Sequence, residues 1–450
     1  MKVDKPRKTA LEILYDIDKK GAYSNISLNR ILSTRELRDI DRAFITDIVY
    51  GTLNKRLTID YLIEQYSRIK IKRLSPWVLN ILRMGIYQLV FMDKVPASAA
   101  CNESVKLAKK FGHSASSRYV NAVLRNIARN IADLPYPTKE GDITKYLSIM
   151  HSYPEWMVQR WLKRFGEKFT EEFLKAGNEV PPFTIRVNTL KVSKGDLAVL
   201  LADNGFRVKD GNYINEALII ENPTAIKDIN GFSKGYFQVQ DESSMLVSRV
   251  LDPKPGQLVI DVCGAPGGKS THIAQLMNNE GLVVSRDIYE HKTELIDKAC
   301  SRLGINIIKT EIFDAAISDE ALTGKADRVL VDAPCTGFGI IRRKPDIKWT
   351  RKSDDKEKLA GIQNKILYAA SKYVRNGGVL VYSTCTVEPE ENEGIVKKFI
   401  HNNEDFHLED VSSYISEGFK NYNPDSGCMQ LYPNVHGTDG FFIAKMVRKD

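Results

Sequence analysis

The 450-residue chain has only six cysteines, Cys101, Cys263, Cys300, Cys335, Cys385 and Cys428. They form no CxxC pair and no compact framework, which excludes a zinc ribbon or a disulfide-stapled scaffold and points to reduced thiols in the cytosol. No metal site is expected. Long apolar runs are also missing: nothing approaches the ~20 residues that span a bilayer. Lys2, Asp4, Lys5, Arg7 and Lys8 open the chain with no signal-peptide core behind them. A cytoplasmic protein without membrane attachment is expected. The third absence is a complete nucleotide fingerprint. The stretch from Gly264 to Ser270 reads GAPGGKS and lacks G-x-G-x-x-G. A P-loop needs another glycine where this chain has Cys263. A triphosphatase is therefore disfavoured.

Charge is present and uneven. Residues 1–150 hold 26 Lys and Arg against 15 Asp and Glu, a surplus of +11; residues 151–450 hold 39 against 42, or −3. A basic front points to a polyanionic partner, with a merely solubilising surface as the alternative.

Residues 6–130 carry helical periodicity: Leu11, Ile13, Leu14 and Ile17, then Phe44, Ile45, Ile48 and Val49, then Ile86, Leu89, Val90 and Phe91. Pro76 and Pro96 suit helix starts, and Asp39 and Asp41 are candidate caps. This is an all-helical bundle, assigned to residues 1–135. A linker is expected over 131–150. An aromatic helix with Trp156, Met157, Trp161 and Phe165 follows, better suited to core packing than to a ligand. Short strands, including Phe183–Leu190 and Tyr236–Val239, complete a small α+β unit over 136–250. From 251 to 450 the pattern is βαβ. Strands are expected at Leu258–Val262, Leu282–Asp287, Ile305–Ile312, Arg328–Asp332, Val379–Ser383 and Phe441–Val447 in a doubly wound sheet.

Ligands of such sheets bind at the carboxyl edge of the strands. The first strand there ends in the glycine turn Cys263–Lys269, which exposes backbone N–H groups at a helix start; an ordinary βα turn is the alternative. The second ends at Asp287, suited to ribose hydroxyls or to capping the next helix. Asp314 lies beyond the third, placed for an adenine amino group. The fourth ends in Asp332-Ala333-Pro334-Cys335 and the fifth in Ser383-Thr384-Cys385-Thr386. Neighbouring strands lie ~5 Å apart, so two thiols are expected side by side. One chemistry joins a thiolate, a carboxylic acid and an electrophilic methyl donor: methylation of a pyrimidine at C5. Thiolate addition at C6 makes C5 nucleophilic. Spacing leaves open which cysteine adds. The basic run Arg342–Lys352, with Trp349, suits phosphate contact and base stacking, or else a solvated loop. His436 and Asp439 show no partners for a metal; Gly437 and Gly440 suit turns.

DVCGAPGGKS, DAPCTGFG and YSTCT, with RRKPDIKW between them and HGTDGFF near the end, resemble the RNA cytosine-C5 methyltransferases of the Sun/RsmB group. The helical front, with ALEIL and SRYVNAVLRNIAR, resembles the NusB-like domain fused to them. The resemblance covers essentially the whole chain. It implies an all-α NusB-like bundle, a small α+β domain and an α/β Rossmann-like class I methyltransferase domain. It implies S-adenosylmethionine as donor and small-subunit ribosomal RNA as acceptor; separately, a monomer is expected, with oligomeric state not written in the residues. Carried over, Cys263, Gly264, Ala265, Pro266, Gly267, Gly268 and Lys269 form the cofactor loop. Asp287 holds the ribose, Asp314 the adenine, and Asp332 lies near cofactor and target cytosine. Cys385 is the nucleophile and Cys335 assists product release. Gly264 departs from the alanine of many relatives, a change not expected to weaken cofactor binding. A rival reading makes the chain chiefly an RNA or transcription-complex binding module acting through its NusB-like part.

Overall fold

The computed structural model describes residues 3–21, 24–221, 223, 226, 229–415 and 427–450. Contacts divide the chain into two units, one of Met1–Glu179 with Ile341–Arg351, the other of Val180–Ile340 with Lys352–Asp450.

The first unit is helical. Its helices include Lys5–Lys20, Asp39–Asn54, Arg56–Tyr66, Pro76–Phe91, Ala97–Phe111 and Ser114–Arg129. The periodic apolar residues face one core: Leu11, Leu14, Ile48, Leu82 and Leu124 are buried together. Caps set the ends. Asp4 accepts the Arg7 N–H at 3.0 Å, and Ser75 accepts the Val78 N–H ahead of Pro76. Asp39 and Asp41 are not caps; they stand in the first turn behind Arg38, and Asp41 pairs with that arginine at 2.9 Å. Negative charge is favoured there by the exposed N–H groups. The stretch expected as linker contains the helix Ile143–His151, capped by Asp142. Arg83 is buried among these helices and bridges both oxygens of Asp60 at 2.7 Å and Asp18 at 2.9 Å.

The basic segment expected to meet RNA belongs in part to this core. Lys348 is 1% exposed. Its ammonium donates to the Asn54 carbonyl at 3.0 Å and to Asn178 Oδ1 at 2.9 Å, and lies 4.3 Å from the centre of the Tyr153 ring. Burial pushes its pKa well below the usual lysine range. Trp349 Nε1 donates to the Leu53 carbonyl at 2.9 Å. Leu53 and Asn54 end the helix Asp39–Asn54, so the two side chains satisfy carbonyls that have no partner inside it. A loop of Lys348 and Trp349 stacking on bases is therefore corrected: both are spent on a helix terminus.

In the second unit, β1 (Phe183–Val187), β2 (Arg207–Asp210), β3 (Ala217–Glu221) and β4 (Phe237–Val239) form an antiparallel sheet in the order β2-β3-β1-β4. A larger sheet follows from β5 (Leu258–Asp261), β6 (Leu282–Asp287), β7 (Ile308–Ile312), β8 (Ala326–Asp332), β9 (Val374–Thr384), β10 (Phe406–Leu408), β11 (Cys428–Leu431) and β12 (Phe441–Arg448). Its order is β10-β12-β9-β8-β5-β6-β7, with β11 beside β12. Strands β5 to β9 pair in parallel, and β12 runs antiparallel to β9. The continuous Val/Ile/Leu runs of β5, β8 and β9 reflect burial on both faces. Because β5 lies between β6 and β8, the strand order reverses beside it, and the loops after β5, β8 and β9 share one edge. No helix among the described residues is long and apolar enough to cross a membrane.

Candidate active site

The β5 strand ends at Asp261, and the loop through Gly267 leads into the helix Gly268–Leu276. Gly267 adopts φ 99°, which only glycine takes without strain. The Gly264 N–H donates to the Arg286 carbonyl at 2.8 Å, tying the loop to β6. A Cβ on Gly264 would stand 2.1 Å from Ser285 Oγ. In this chain the serine hydroxyls therefore fill the space a methyl group would take. Ser270 donates to Asp261 Oδ2 at 2.6 Å and shares a hydrogen bond with Ser285 at 2.9 Å. Burial pushes the Asp261 carboxyl up to about 6, and its Oδ1 is buried without a hydrogen-bond partner. Burial, with the carboxylates of Asp261, Asp332 and Asp287, drives the Cys263 thiol well above its ordinary range.

Asp287 ends β6. Its Oδ1 accepts the Tyr289 N–H at 3.1 Å and lies 3.5 Å from Lys292 Nζ. Asp314 is exposed beyond β7, its Oδ1 accepting the Ala316 N–H at 3.0 Å. Lys269 turns away from the loop to Asp332 Oδ2, 2.7 Å away, over the Phe441 ring. Ser383 donates to the other oxygen of Asp332 at 2.9 Å.

Asp332 and Ser383 are partners in the β8–β9 register, so both cysteine motifs leave the sheet side by side. Cys335 Sγ and Cys385 Sγ lie 3.3 Å apart, and neither is in a disulfide. A disulfide would hold them at ~2.05 Å. The Cys385 sulfur, burial, and the Glu391 and Asp332 carboxylates push Cys335 well above the ordinary thiol range. A protonated Cys335 can donate its S–H to Cys385.

Two further groups were not read from the sequence. Glu391, 0% exposed, sits behind the cysteine loops and accepts from Thr336 and Gln363. Written as PEEN ahead of a helix, it looks like a solvated first turn; only the fold turns it inward. Arg186 of β1 is 1% exposed. It donates to the Gly268 carbonyl at 2.7 Å, Thr271 Oγ1 at 3.1 Å, Gln275 Oε1 at 3.1 Å and Gln240 Oε1. Burial lowers its pKa to about 9. The small sheet thus grips the helix that begins at the glycine turn.

On the same helix, His272 is fully buried, 2.8 Å from Glu216 Oε1, and Glu216 also pairs with Arg249. Burial lowers His272 to about 4, while His272 and Arg249 hold Glu216 down against its burial. His272 is neutral and its Nε2–H donates. The unfolded histidine takes a proton below pH ~6.5, the folded one only near 4. Its contribution is complete above pH ~6.5 and is lost as pH falls through 4. Asp261 works in the opposite sense. Its folded pKa of about 6 gives a contribution that is full below pH ~4 and lost as pH rises through 6. His272→Gln should flatten the acid limb of melting temperature against pH between 6.5 and 4. An unchanged limb would exclude the histidine as its source.

His436 Nδ1 meets the Tyr432 N–H at 2.9 Å, and Gly437 at φ 72° ends its helix. Among the described residues no His/Cys/Asp/Glu group could hold a metal ion.

The family model described as 16S rRNA methyltransferase RsmB/F matches residues 248–447. The NusB family model matches 4–129, and the ferredoxin-like domain of RsmF/B-like methyltransferases matches 153–227. The chain is 40% identical over 451 residues, all of both chains, to the probable ribosomal RNA small subunit methyltransferase B of Bacillus subtilis (strain 168). A protein of the same description from Synechocystis sp. is 34% identical over 98% of each chain. Among solved structures, PH0851 matches with TM-score 0.83 at 27% identity over 99% of both chains. NSun6 from Pyrococcus horikoshii with SFG matches with TM-score 0.59 at 27% identity, over 67% of this chain and 100% of that one.

Proposed function

This chain belongs to the 16S rRNA methyltransferase RsmB/F family, and on that premise we propose that it methylates C5 of a cytosine in small-subunit ribosomal RNA through a covalent adduct at Cys385. The observation that carries this reading is the pair of thiols 3.3 Å apart, not joined in a disulfide, beside Asp332. We assign residues 1–135 to a NusB-like RNA-binding domain, 136–250 to a linker helix with the small α+β domain, and 251–450 to the methyltransferase domain. The molecule is assigned to the cytosol, where its thiols stay reduced, as a monomer without metal.

The residues present fit S-adenosylmethionine as donor. A glycine turn opens backbone N–H groups at a helix start, Asp287 suits ribose hydroxyls, and Asp314 is exposed for the adenine amino group. When bound, the cofactor supplies an electrophilic methyl group. Cys263 to Lys269 would hold it along the loop backbone, and Asp332, held by Lys269 and Ser383, would lie near both cofactor and base.

The Cys385 thiolate adds to C6, and the electron pair shifts toward C5 and N3, where a proton carried in on the Asp332 carboxyl passes to N3 and neutralises the charge. After C5 is methylated, its hydrogen leaves as a proton, the C5–C6 double bond re-forms, and Cys385 departs as thiolate. Cys335 receives that proton. By then the Cys385 sulfur is bonded to carbon and no longer holds the Cys335 S–H, so Cys335 can lose its own proton to solvent and serve as base. The target base must leave its stack to reach this site.

Purified enzyme, unmodified small-subunit RNA and methyl-labelled S-adenosylmethionine test the reading. Labelled RNA with one new bisulfite-resistant cytosine is expected. Label on any other atom, or binding without transfer, overturns it; the latter would favour a binding module.

A further inference from the structure

Glu391 is a fully buried carboxylate that organises the loop carrying Cys335. Its Oε2 accepts the Thr336 backbone N–H at 2.9 Å and the Gln363 amide at 3.0 Å, and its Oε1 accepts the Thr336 hydroxyl. The same Gln363 amide donates to the Pro334 carbonyl at 2.9 Å. Both peptide neighbours of Cys335 are thus held, Pro334 by Gln363 and Thr336 by Glu391. The Thr336 hydroxyl lies 2.7 Å from that of Thr386, the residue after Cys385. The Gly339 N–H donates to the Cys385 carbonyl at 3.0 Å. The Tyr382 hydroxyl donates to the Glu391 carbonyl at 2.7 Å, fixing the acid to β9 itself.

An anion without a counter-ion is costly to bury. Burial raises this carboxyl above the ordinary glutamate range. Three protein donors at one carboxylate offset that cost and define its geometry. A neutral side chain of the same shape cannot accept all three, because one of its two terminal atoms is a donor.

We propose that Glu391, with Gln363, is a positioning residue for Cys335, holding that sulfur where it takes the C5 proton during product release. The inference rests on the cysteine roles assigned above. In the step it serves, the C5–H bond breaks and its proton goes to the Cys335 thiolate. The electron pair re-forms the C5–C6 double bond, and the C6–S bond pair returns to Cys385. Addition and methylation precede this step and do not need Cys335. Loss of Glu391 should therefore stall the enzyme after methylation, with RNA still bonded to Cys385.

The test uses full-length enzyme, small-subunit RNA and S-adenosylmethionine, with adducts read on denaturing gels beside single-turnover and steady-state rates. Glu391→Gln should lower turnover by about 10²-fold, the scale of a small misplacement of a reacting group. It should accumulate the RNA–protein adduct as Cys335→Ala does, with KM for RNA near the parent value. Gln's amide restores shape but not acceptance, so a merely structural role predicts a lower melting temperature without adduct. Should Glu391→Gln fail to fold, Thr336→Val removes one hydroxyl and should give the same adduct in smaller amount. If Cys335→Ala traps RNA and neither variant does, the positioning role is wrong while the cysteine roles stand. If Cys335→Ala traps nothing, the cysteine roles fall and this inference with them.

Discussion

Cys385→Ala should abolish methyl transfer, lowering it by at least about 10³-fold, because removal of a covalent nucleophile leaves only binding and orientation. C5 of cytosine is too weak a nucleophile to take the methyl group without addition at C6. No neighbouring group replaces the thiol: Cys335, 3.3 Å away, is held well above the ordinary thiol range and is protonated. Cofactor binding should survive, since the glycine turn, Asp287 and Asp314 lie on other strands. Label transfer and a thermal shift with S-adenosylhomocysteine separate the two effects. Turnover near the parent rate would assign the nucleophile elsewhere. Cys335→Ala makes the complementary case, with RNA bound covalently to Cys385 and turnover lost.

Arg186→Met should destabilise the second unit by about 3 kcal/mol. Methionine fills much of the volume but donates nothing, leaving Gln240 Oε1 and Gln275 Oε1 as buried acceptors without their donor, while the Gly268 carbonyl keeps the Thr271 hydroxyl. Each unsatisfied group costs ~1–3 kcal/mol, partly offset because a buried charge is removed as well. The sign follows from the number of acceptors stranded. Arg186 also fixes the first residue of the helix after the glycine turn, so cofactor affinity should fall with stability. Melting of the full chain, followed by a probe in the second unit, should move by on the order of 10 °C. A shift under about 2 °C, with unchanged cofactor affinity, would mean that the helix needs no such anchor.

Much of the fold was legible in the residues because it rests on local rules. Leu282–Asp287 was expected as a strand and is one, ending at the acid. The helical front declared itself through the spacing of Leu11, Leu14, Ile45 and Ile48 and through Pro76 at a helix start. Short edge elements escaped. β10 and β11 have three and four residues, too few for periodicity to speak, and they exist because β12 offers them a partner. Arg342–Lys352 misled for a different reason. Composition reports which side chains are basic and aromatic, not what they face, and Lys348 and Trp349 face helix-terminal carbonyls.

By itself the sequence determined which chemical groups stand at strand ends: a glycine turn after β5, acids at the ends of β6 and β8 and beyond β7, and thiols in the loops after β8 and β9. Such placement follows from alternation, strand length and turn residues, all properties of near neighbours in the chain. Only the tertiary structure decided that β8 and β9 pair with Asp332 opposite Ser383 and the sulfurs 3.3 Å apart. It alone set Arg186 against the Gly268 carbonyl and Glu391 behind Thr336. Those contacts join residues 82 and 55 positions apart. They arise because a buried donor or acceptor must find a partner, and strand order and packing determine which partner lies within reach.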